Sequence, residues 1–368
     1  MGISLLATTF TDLLSNVFYI FIAILVLLLM ITIHELGHYL AGKKLGFGIK
    51  EFSIGFGKKL FSRKNKSGED FSIRLIPLGG YCAFEGEDED DNDNPKAFNN
   101  QKPWKRLIVL FMGAFFNFLS AIVFAVILLT AYGYDIPQVA TVDAESANYG
   151  IIQENDVIWG VNGEEINFVT DTSISVLLAE QTVGEPFTLN IERDHEKMDI
   201  TVSLYAVPAL DGEGQPVLDE ENNPVFNNVL GITIKLYAFP FFEALGRSFY
   251  FVIGMAYKIL AFFLLLITGR ASLSAIGGPI TTITIIASYT QASLAGFVVL
   301  LPLIAVNLAV FNLLPIPALD GARMVFVGIE WIRGKPVNRE LEAKIHTIGL
   351  VVLLAFVLFA DFYHMLFA

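Results

Sequence analysis

Four long apolar runs dominate the chain, and most of its polar residues lie between them. The runs cover 17–33, 107–131, 297–319 and 345–360. Each is close to the ~20 residues that a helix needs to cross a bilayer. The first is longer than a signal-peptide core and no basic residue precedes it, so we interpret it as a permanent span. The pattern predicts a polytopic α-helical membrane protein with four transmembrane helices.

The composition supports this class, with 54% hydrophobic and only 17% charged residues. Residues 42–106 hold 13 of the 24 Lys and Arg, which makes this loop cytoplasmic and the N-terminus external. The external block 133–248 is acidic, with 20 Asp and Glu against 4 Lys and Arg. Nothing resembles a basic nucleic-acid footprint, so we expect no nucleic-acid partner. The single cysteine, Cys82, excludes an internal disulfide.

The external block has the alternation of a small, mainly β domain. Strand-like stretches occur at 138–142, 187–192 and 198–204. Residues 144–163 (AESANYGIIQENDVIWGVNG) resemble the PDZ pattern, although Asn162-Gly163 is also a generic hairpin turn. The resemblance implies a single PDZ domain at 133–208. Its peptide groove would lie around Tyr149, Gly150 and Ile151.

The inner end of the first run carries His34-Glu35-Leu36-Gly37-His38. Residues i and i+4 share one face of a helix, so both imidazoles can hold one metal while Glu35 lies beside it. The alternatives are chance, or histidines at a helix end that face lipid headgroups. Catalytic zinc needs three protein ligands. The best third candidate is Asp320, which follows two helix-breaking prolines; its alternative role is a helix cap at a membrane exit.

Taken together, these motifs resemble the site-2 protease family of intramembrane zinc metalloproteases. The resemblance rests on the histidine motif, on Asn312 and Leu319-Asp320-Gly321, and on the PDZ-like segment between them. It is closest to the bacterial branch of the regulator of sigma-E protease. Further matches are Gly55-Phe56-Gly57, Pro77-Leu78-Gly79-Gly80-Tyr81 and Gly278-Pro279-Ile280. One departure is Gly113-Ala114-Phe115-Phe116-Asn117, which lacks a proline that the family often has here and so bears on local helix geometry.

The resemblance implies that His34, His38 and Asp320 hold Zn²⁺ and that Glu35 is the general base. Asn312 would donate to the developing oxyanion, or would instead bond backbone groups freed near the prolines. Stretches 52–61 and 71–84 are β-like.

The resemblance implies that these stretches form a membrane re-entrant β-hairpin that pairs with an extended substrate. Its substrate-binding residues would be Gly55, Phe56, Gly57, Gly79 and Gly80. The alternative is a plain cytoplasmic hairpin.

The implied function is intramembrane proteolysis of single-pass membrane proteins already shortened outside. Anti-sigma factors are the expected substrates, with remnant signal peptides as a further class. The expected location is the bacterial inner (cytoplasmic) membrane, with membrane lipid as a partner. One alternative is a membrane-tethered PDZ adaptor with a structural or degenerate metal site. A second alternative is a metal or proton transporter, which would need polar residues in several spans. Nothing in the sequence sets the oligomeric state.

The metal ligands must lie at one depth in the membrane, and this requirement selects four crossings. The predicted spans are 1–42, 105–132, 297–322 and 345–368. The cytoplasmic segments are 43–104, which includes the hairpin, and 323–344, whereas 209–296 forms an acidic loop and interfacial amphipathic helices. Residues 249–268 then lie along the interface, as Lys258 favours, or else 276–288 dips back. Seven acids between Glu85 and Asp93 lack the spacing of a calcium loop and predict a solvated, flexible loop.

Overall fold

The computed structural model describes residues 2–87, 93–209, 211–212, 215–219, 222–270 and 277–367. The chain divides into two compact units, one made of Met1–Ala125 with Ser248–Ala368 and the other of Val126–Arg247. Most of the acidic loop predicted at 85–93 falls on residues 88–92, outside the described residues.

Five of the described helices are long and apolar enough to cross a membrane. They are α1 (Gly2–Leu45), α2 (Pro103–Ala131), α4 (Phe241–Ile267), α6 (Leu294–Leu313) and α8 (Arg339–Phe367). The fold is therefore that of a polytopic helical membrane protein with added sheet. The predicted number of crossings, four, stays a prediction, because α4 is also long enough, at 27 residues, and apolar enough to cross.

The predicted span 297–322 is not one continuous helix. Helix α6 ends at Leu313, the next residue Leu314 is extended, and α7 (Asp320–Arg333) begins only at Asp320. Proline lacks the N–H of a helical hydrogen bond and disfavours helix in the residue before it. Pro315 and Pro317 therefore separate two helices and leave Asp320 in the first turn of the second.

A short helix, α5 (Pro279–Ala292), packs against α1 and α6. Its 14 residues rise only about 21 Å, less than the hydrocarbon core of a bilayer. Asp361 of α8 closes its N-terminus by accepting from the backbone N–H groups of Gly278 (2.9 Å) and Thr281 (2.9 Å). A Cβ at Gly278 would lie 2.6 Å from the Asp361 Cγ, so this carboxylate explains why glycine precedes Pro279.

Both predicted β stretches form strands, β1 (Ile49–Lys64) and β2 (Asp70–Phe84), which pair with each other. Residues 51–54 register with both 80–83 and 70–73, so they lie between two stretches of β2. The chain bends at Gly55 and Gly57, whose φ angles of 86° and 81° favour glycine. The position of this sheet relative to a bilayer stays a prediction.

A partly buried polar cluster holds the bend of this sheet. Glu51 accepts from Ser72 (2.5 Å) and Arg74 (2.9 Å), and Lys59 lies 3.2 Å from it. Burial alone would raise the pKa of Glu51, but these hydrogen bonds outweigh it and hold the pKa below its ordinary value. The carboxylate is therefore charged at neutral pH and links both strands.

The second unit is a mainly β domain. Its strands are β3 (Pro137–Val142), β4 (Val157–Val161), β5 (Glu164–Glu165), β6 (Pro186–Arg193), β7 (Glu196–Ser203), β8 (Tyr205–Pro208), β9 (Phe226–Val229) and β10 (Ile232–Leu236). The main sheet has the order β10-β3-β4-β6-β7, with β5 beside β4, and β8 pairs with β9. The short helix α3 (Ile174–Ala179) contacts β4, and inward residues such as Val139, Ile158 and Leu189 form the core.

Strand β10 corrects a predicted boundary. It lies within 209–296, which we predicted as loop and helix, yet it pairs with β3 over its whole length. The domain therefore extends beyond residue 208. This strand was not predicted because an edge strand with mixed polarity gives little local signal. Tyr149 and Ile151 are exposed, and Gly150 has a φ of 83°. A PDZ groove at these residues stays a prediction.

Candidate metal centre

Three side chains from two distant parts of the chain meet at one point. His34 and His38 lie one turn apart on α1 and are each 7% exposed. Their Nε2 atoms are 3.1 Å apart. The Asp320 Oδ2 lies 3.0 Å from the His34 Nε2 and 3.2 Å from the His38 Nε2. Within the described ranges, these residues form the one group of three potential metal ligands.

Each imidazole is oriented by a second contact from α2. The His38 Nδ1 lies 2.8 Å from the Val109 carbonyl oxygen, to which it donates, so its Nε2 presents a lone pair. The Asn117 amide nitrogen lies 3.5 Å from the His34 Nδ1, and the buried Asn117 Oδ1 has no hydrogen-bond partner among the described residues. A rotation of this amide by 180° would let Oδ1 accept from the His34 Nδ1–H.

The donor set fits zinc. Two imidazole nitrogens and one carboxylate oxygen are the ligands of many catalytic zinc sites, in which a fourth position remains for water. The three ligand atoms lie 3.0–3.2 Å from one another, close enough for one cation to bind all of them. Ring nitrogens held by a carbonyl or an amide are the usual outer support of such ligands.

A glycine on α2 makes room for both histidines. A Cβ at Gly113 would lie 2.6 Å from the His38 Cε1 and 2.8 Å from the His34 Cε1. At Gly37 on α1, a Cβ would lie 2.8 Å from the Met112 carbonyl carbon. The two helices therefore approach closely beside the site. Helix α2 is continuous without the family's proline, so this departure leaves the site intact.

Glu35 lies between the metal-ligand group and the sheet. Its Oε2 accepts from the Cys82 backbone N–H at 2.9 Å. A Cβ at Gly80 would lie 3.8 Å from the Glu35 Cγ. The edge of β2 thus holds the predicted general base. Our sequence reasoning gave Cys82 no role, and the only available signal was its position two residues after Gly80 in a predicted strand.

The other predicted substrate residues spread along the sheet. Phe56 stacks on Tyr81 with ring centroids 6.2 Å apart, and Gly79 lies against the Phe56 ring. Gly55 and Gly57 lie at the bend, against residues 74–76. Of the five, Gly80 lies next to Glu35. Their contacts with substrate stay predictions.

Asn312 bonds within its own helix. Its amide nitrogen donates to the Leu308 carbonyl oxygen at 2.9 Å, one turn earlier on α6. This carbonyl lies within the regular part of α6, so the contact does not test the alternative role, a bond to backbone groups freed near the prolines. The oxyanion role stays a prediction.

A cavity of about 530 Å³ with a mixed polar and apolar lining adjoins the site. Asp320 and His346 line it together with the charged residues Glu87, Arg106, Arg323, Arg339 and Glu342. Such a lining favours water, which a hydrolytic centre between apolar helices needs.

Comparisons with known proteins agree with this geometry. Residues 22–356 match peptidase family M50. A protein of Fusobacterium nucleatum is 33% identical over 346 residues, covering 92% of this chain and 95% of its own. A protein of Clostridium perfringens is 30% identical over 339 residues, covering 91% and 95%. One from Campylobacter jejuni is 30% identical over 347 residues, covering 92% and 91%.

All three relatives are named as candidate zinc metalloproteases. The match spans the helices that carry both halves of the metal-ligand group. The chain therefore belongs to peptidase family M50, the site-2 protease family of zinc-dependent metalloproteases.

Proposed function

We propose that this protein is an intramembrane zinc endopeptidase that cleaves single-pass membrane proteins after their ectodomains have been shortened. Anti-sigma factors and remnant signal peptides are the proposed substrates, in the bacterial inner membrane. The observation that carries the proposal is the convergence of His34, His38 and Asp320 beside Glu35.

The chain's own residues divide the chemistry among them. His34, His38 and Asp320 would hold zinc, which when bound acidifies a water molecule and polarises the scissile carbonyl. Glu35 takes the proton of the attacking water and passes it to the leaving amine. The Cys82 N–H orients the Glu35 carboxylate for this transfer.

The edge of β2 supplies a place for an extended substrate. Cys82 registers with Phe52 of β1, yet its N–H points away towards Glu35. In an antiparallel pair, alternate residues direct their backbone polar groups outward. A substrate helix must unwind before cleavage, and its freed backbone groups need partners inside a membrane. Strand addition at this edge would provide them beside the general base.

The β domain would lie outside the membrane and restrict access. As a PDZ domain it would exclude large ectodomains or read the tail left by a first cleavage. The exposed apolar side chains of Tyr149 and Ile151 are suited to such a contact.

The test compares metal content and cleavage in three proteins purified in detergent: wild type, Glu35→Gln and Asp320→Ala. We expect about one zinc per chain in wild type and Glu35→Gln, since Glu35 is not a ligand. Glu35→Gln should lose cleavage of a truncated single-pass substrate, and Asp320→Ala should lose zinc. Cleavage that survives Glu35→Gln would remove Glu35 from the mechanism. Wild type without zinc would favour a PDZ adaptor.

A further inference from the structure

The turn that carries Asp320 has an unfavourable backbone. It connects α6 to α7, and within it Ala318 has a φ of 81°. This left-handed region is disfavoured for residues with a Cβ. Ala318 lies two residues before Asp320, so a change in its dihedral angles would redirect the Asp320 carboxylate. The Leu319 N–H closes the turn from within by donating to the Ile316 carbonyl oxygen at 3.1 Å, and contacts from outside add to this support.

Helix α8 provides two contacts to this turn. The His346 Nδ1 accepts from the Ala318 backbone N–H at 3.0 Å. One turn further along α8, a Cβ at Gly349 would lie 3.0 Å from the Pro317 Cγ, so the turn rests directly on the helix. Residues i and i+3 lie on the same helix face, which lets both contacts act together.

The imidazole of His346 is itself fixed in place. The Phe326 ring of α7 lies 5.6 Å from it, between ring centroids. Because Nδ1 accepts a hydrogen bond, the ring proton is on Nε2, which has no hydrogen-bond partner among the residues that the structure describes. Within that part of the chain, the directed polar contact of the ring is the one to Ala318.

We propose that His346 is a positioning residue of the metal centre, which holds the strained Ala318 turn so that Asp320 meets His34 and His38. It touches none of the three ligands and acts through the backbone. The inference rests on the proposed function in so far as Asp320 is taken as a zinc ligand. Among the histidines, sequence reasoning gave His346 no role, because 28 residues separate it from Ala318.

The first arm of the test separates the hydrogen bond from the bulk of the ring. The Oδ1 of Asn is as many bonds from the backbone as the Nδ1 of His, so His346→Asn can keep the acceptor, whereas His346→Leu removes it. Thr347→Val is the matched control on α8, because the Thr347 hydroxyl donates to the Ala343 carbonyl oxygen of its own helix. The readouts are zinc retention against a chelator and the visible spectrum of the Co²⁺-substituted protein.

We expect His346→Leu to hold zinc about tenfold more weakly and to change the Co²⁺ spectrum, as loss of outer support does at other metal sites. His346→Asn and Thr347→Val should match wild type in both measurements. The spectrum reports ligand geometry, which a general loss of stability would not alter.

The second arm relieves the strain directly. Glycine adopts positive φ readily, so Ala318→Gly needs less external support. Added to His346→Leu, Ala318→Gly should recover part of the zinc retention. If His346→Leu alone does not fold, His346→Asn and the double variant still decide the question.

The outcomes distinguish this inference from the proposed function. Wild-type zinc that depends on Asp320 but is unaffected in His346→Leu would overturn the positioning role alone. The same follows if His346→Asn is as weak as His346→Leu. Wild type without zinc, or zinc that survives Asp320→Ala, would overturn the proposed metal centre itself.

Discussion

At the scale of single residues, the candidate metal centre depends on a glycine, Gly113, that leaves room for both histidine rings. Gly113→Ala would place a methyl group against both imidazoles, 2.6 Å from the His38 Cε1 and 2.8 Å from the His34 Cε1. Those rings are the proposed ligands and cannot move aside without losing the geometry of the group. We therefore expect Gly113→Ala to reduce zinc content and abolish cleavage, as measured by elemental analysis and a substrate assay.

The control for Gly113 is Gly328→Ala on α7, where a Cβ meets nothing within 4 Å. Alanine in an open helical position is more stable than glycine by about 0.5–1 kcal/mol. Zinc content and cleavage should therefore stay at wild-type levels. Equal loss of zinc in both variants would contradict the packing argument.

A substitution of Cys82 tests the hydrogen bond from its backbone N–H to the Glu35 carboxylate. Proline has no N–H, but it is tolerated on a strand where that group points away from its neighbour. Cys82→Pro should remove the contact to Glu35 and reduce cleavage at least about tenfold, because a misplaced general base loses part of its effect. Zinc content should be unchanged.

Cys82→Ser keeps the backbone N–H and is the matched control for this prediction. It should cleave like wild type. If the serine variant is as impaired as the proline variant, the thiol rather than the backbone contact is what matters.

At the scale of elements, a buried ion pair connects α2 to α7. Arg106 is 1% exposed and donates to Glu330. Breaking a buried pair on one side leaves an uncompensated charge, which costs about 3–5 kcal/mol. We expect Arg106→Met to lower the thermal unfolding midpoint in detergent strongly.

The double variant Arg106→Met with Glu330→Met removes both charges and should recover most of this loss. Additive destabilisation would show that the two residues act separately.

A second connection joins β2 to α7, and no local pattern predicts it. Glu87 accepts from the Phe84 N–H at 3.1 Å and from Arg323 at 2.5 Å. Arg323 lies three residues after Asp320, so this contact connects the end of β2 to the helix that carries a proposed ligand. Sequence reasoning assigned Glu87 to a solvated loop; the structure instead shows it bonded on two sides.

At the scale of the whole molecule, membrane topology is the main prediction still to be tested. Four crossings place both termini outside, whereas a crossing by α4 without a compensating return would place the C-terminus inside. In a Cys82→Ser background, we expect a cysteine added after Ala368 to react with an impermeant maleimide in cells whose outer envelope is opened.

Two further single cysteines calibrate the labelling. One replaces the exposed Thr170 in the β domain and should be labelled. The other replaces the exposed Lys335, between α7 and α8, and should be protected until the membrane is disrupted. A C-terminal cysteine that behaves like Lys335→Cys would contradict four crossings.

The helical fold and half of the metal centre were predictable because they depend on short-range regularities. Apolar runs of span length, two prolines that end a helix, and histidines spaced i and i+4 each act within a few turns of the chain. The strands at 52–61 and 71–84 were predictable for the same reason. The late strand β10 was not predictable, since it depends on which partner the backbone finds.

The sequence by itself determined that this is a membrane protein with two histidines and a glutamate on one helix face. Only the tertiary structure decided that Asp320, 286 residues from His34, reaches the same point. It also decided that the edge of β2 holds Glu35 and that His346 supports the Ala318 turn. Helical periodicity is local and can be read along the chain, whereas these contacts arise from helix packing between distant segments.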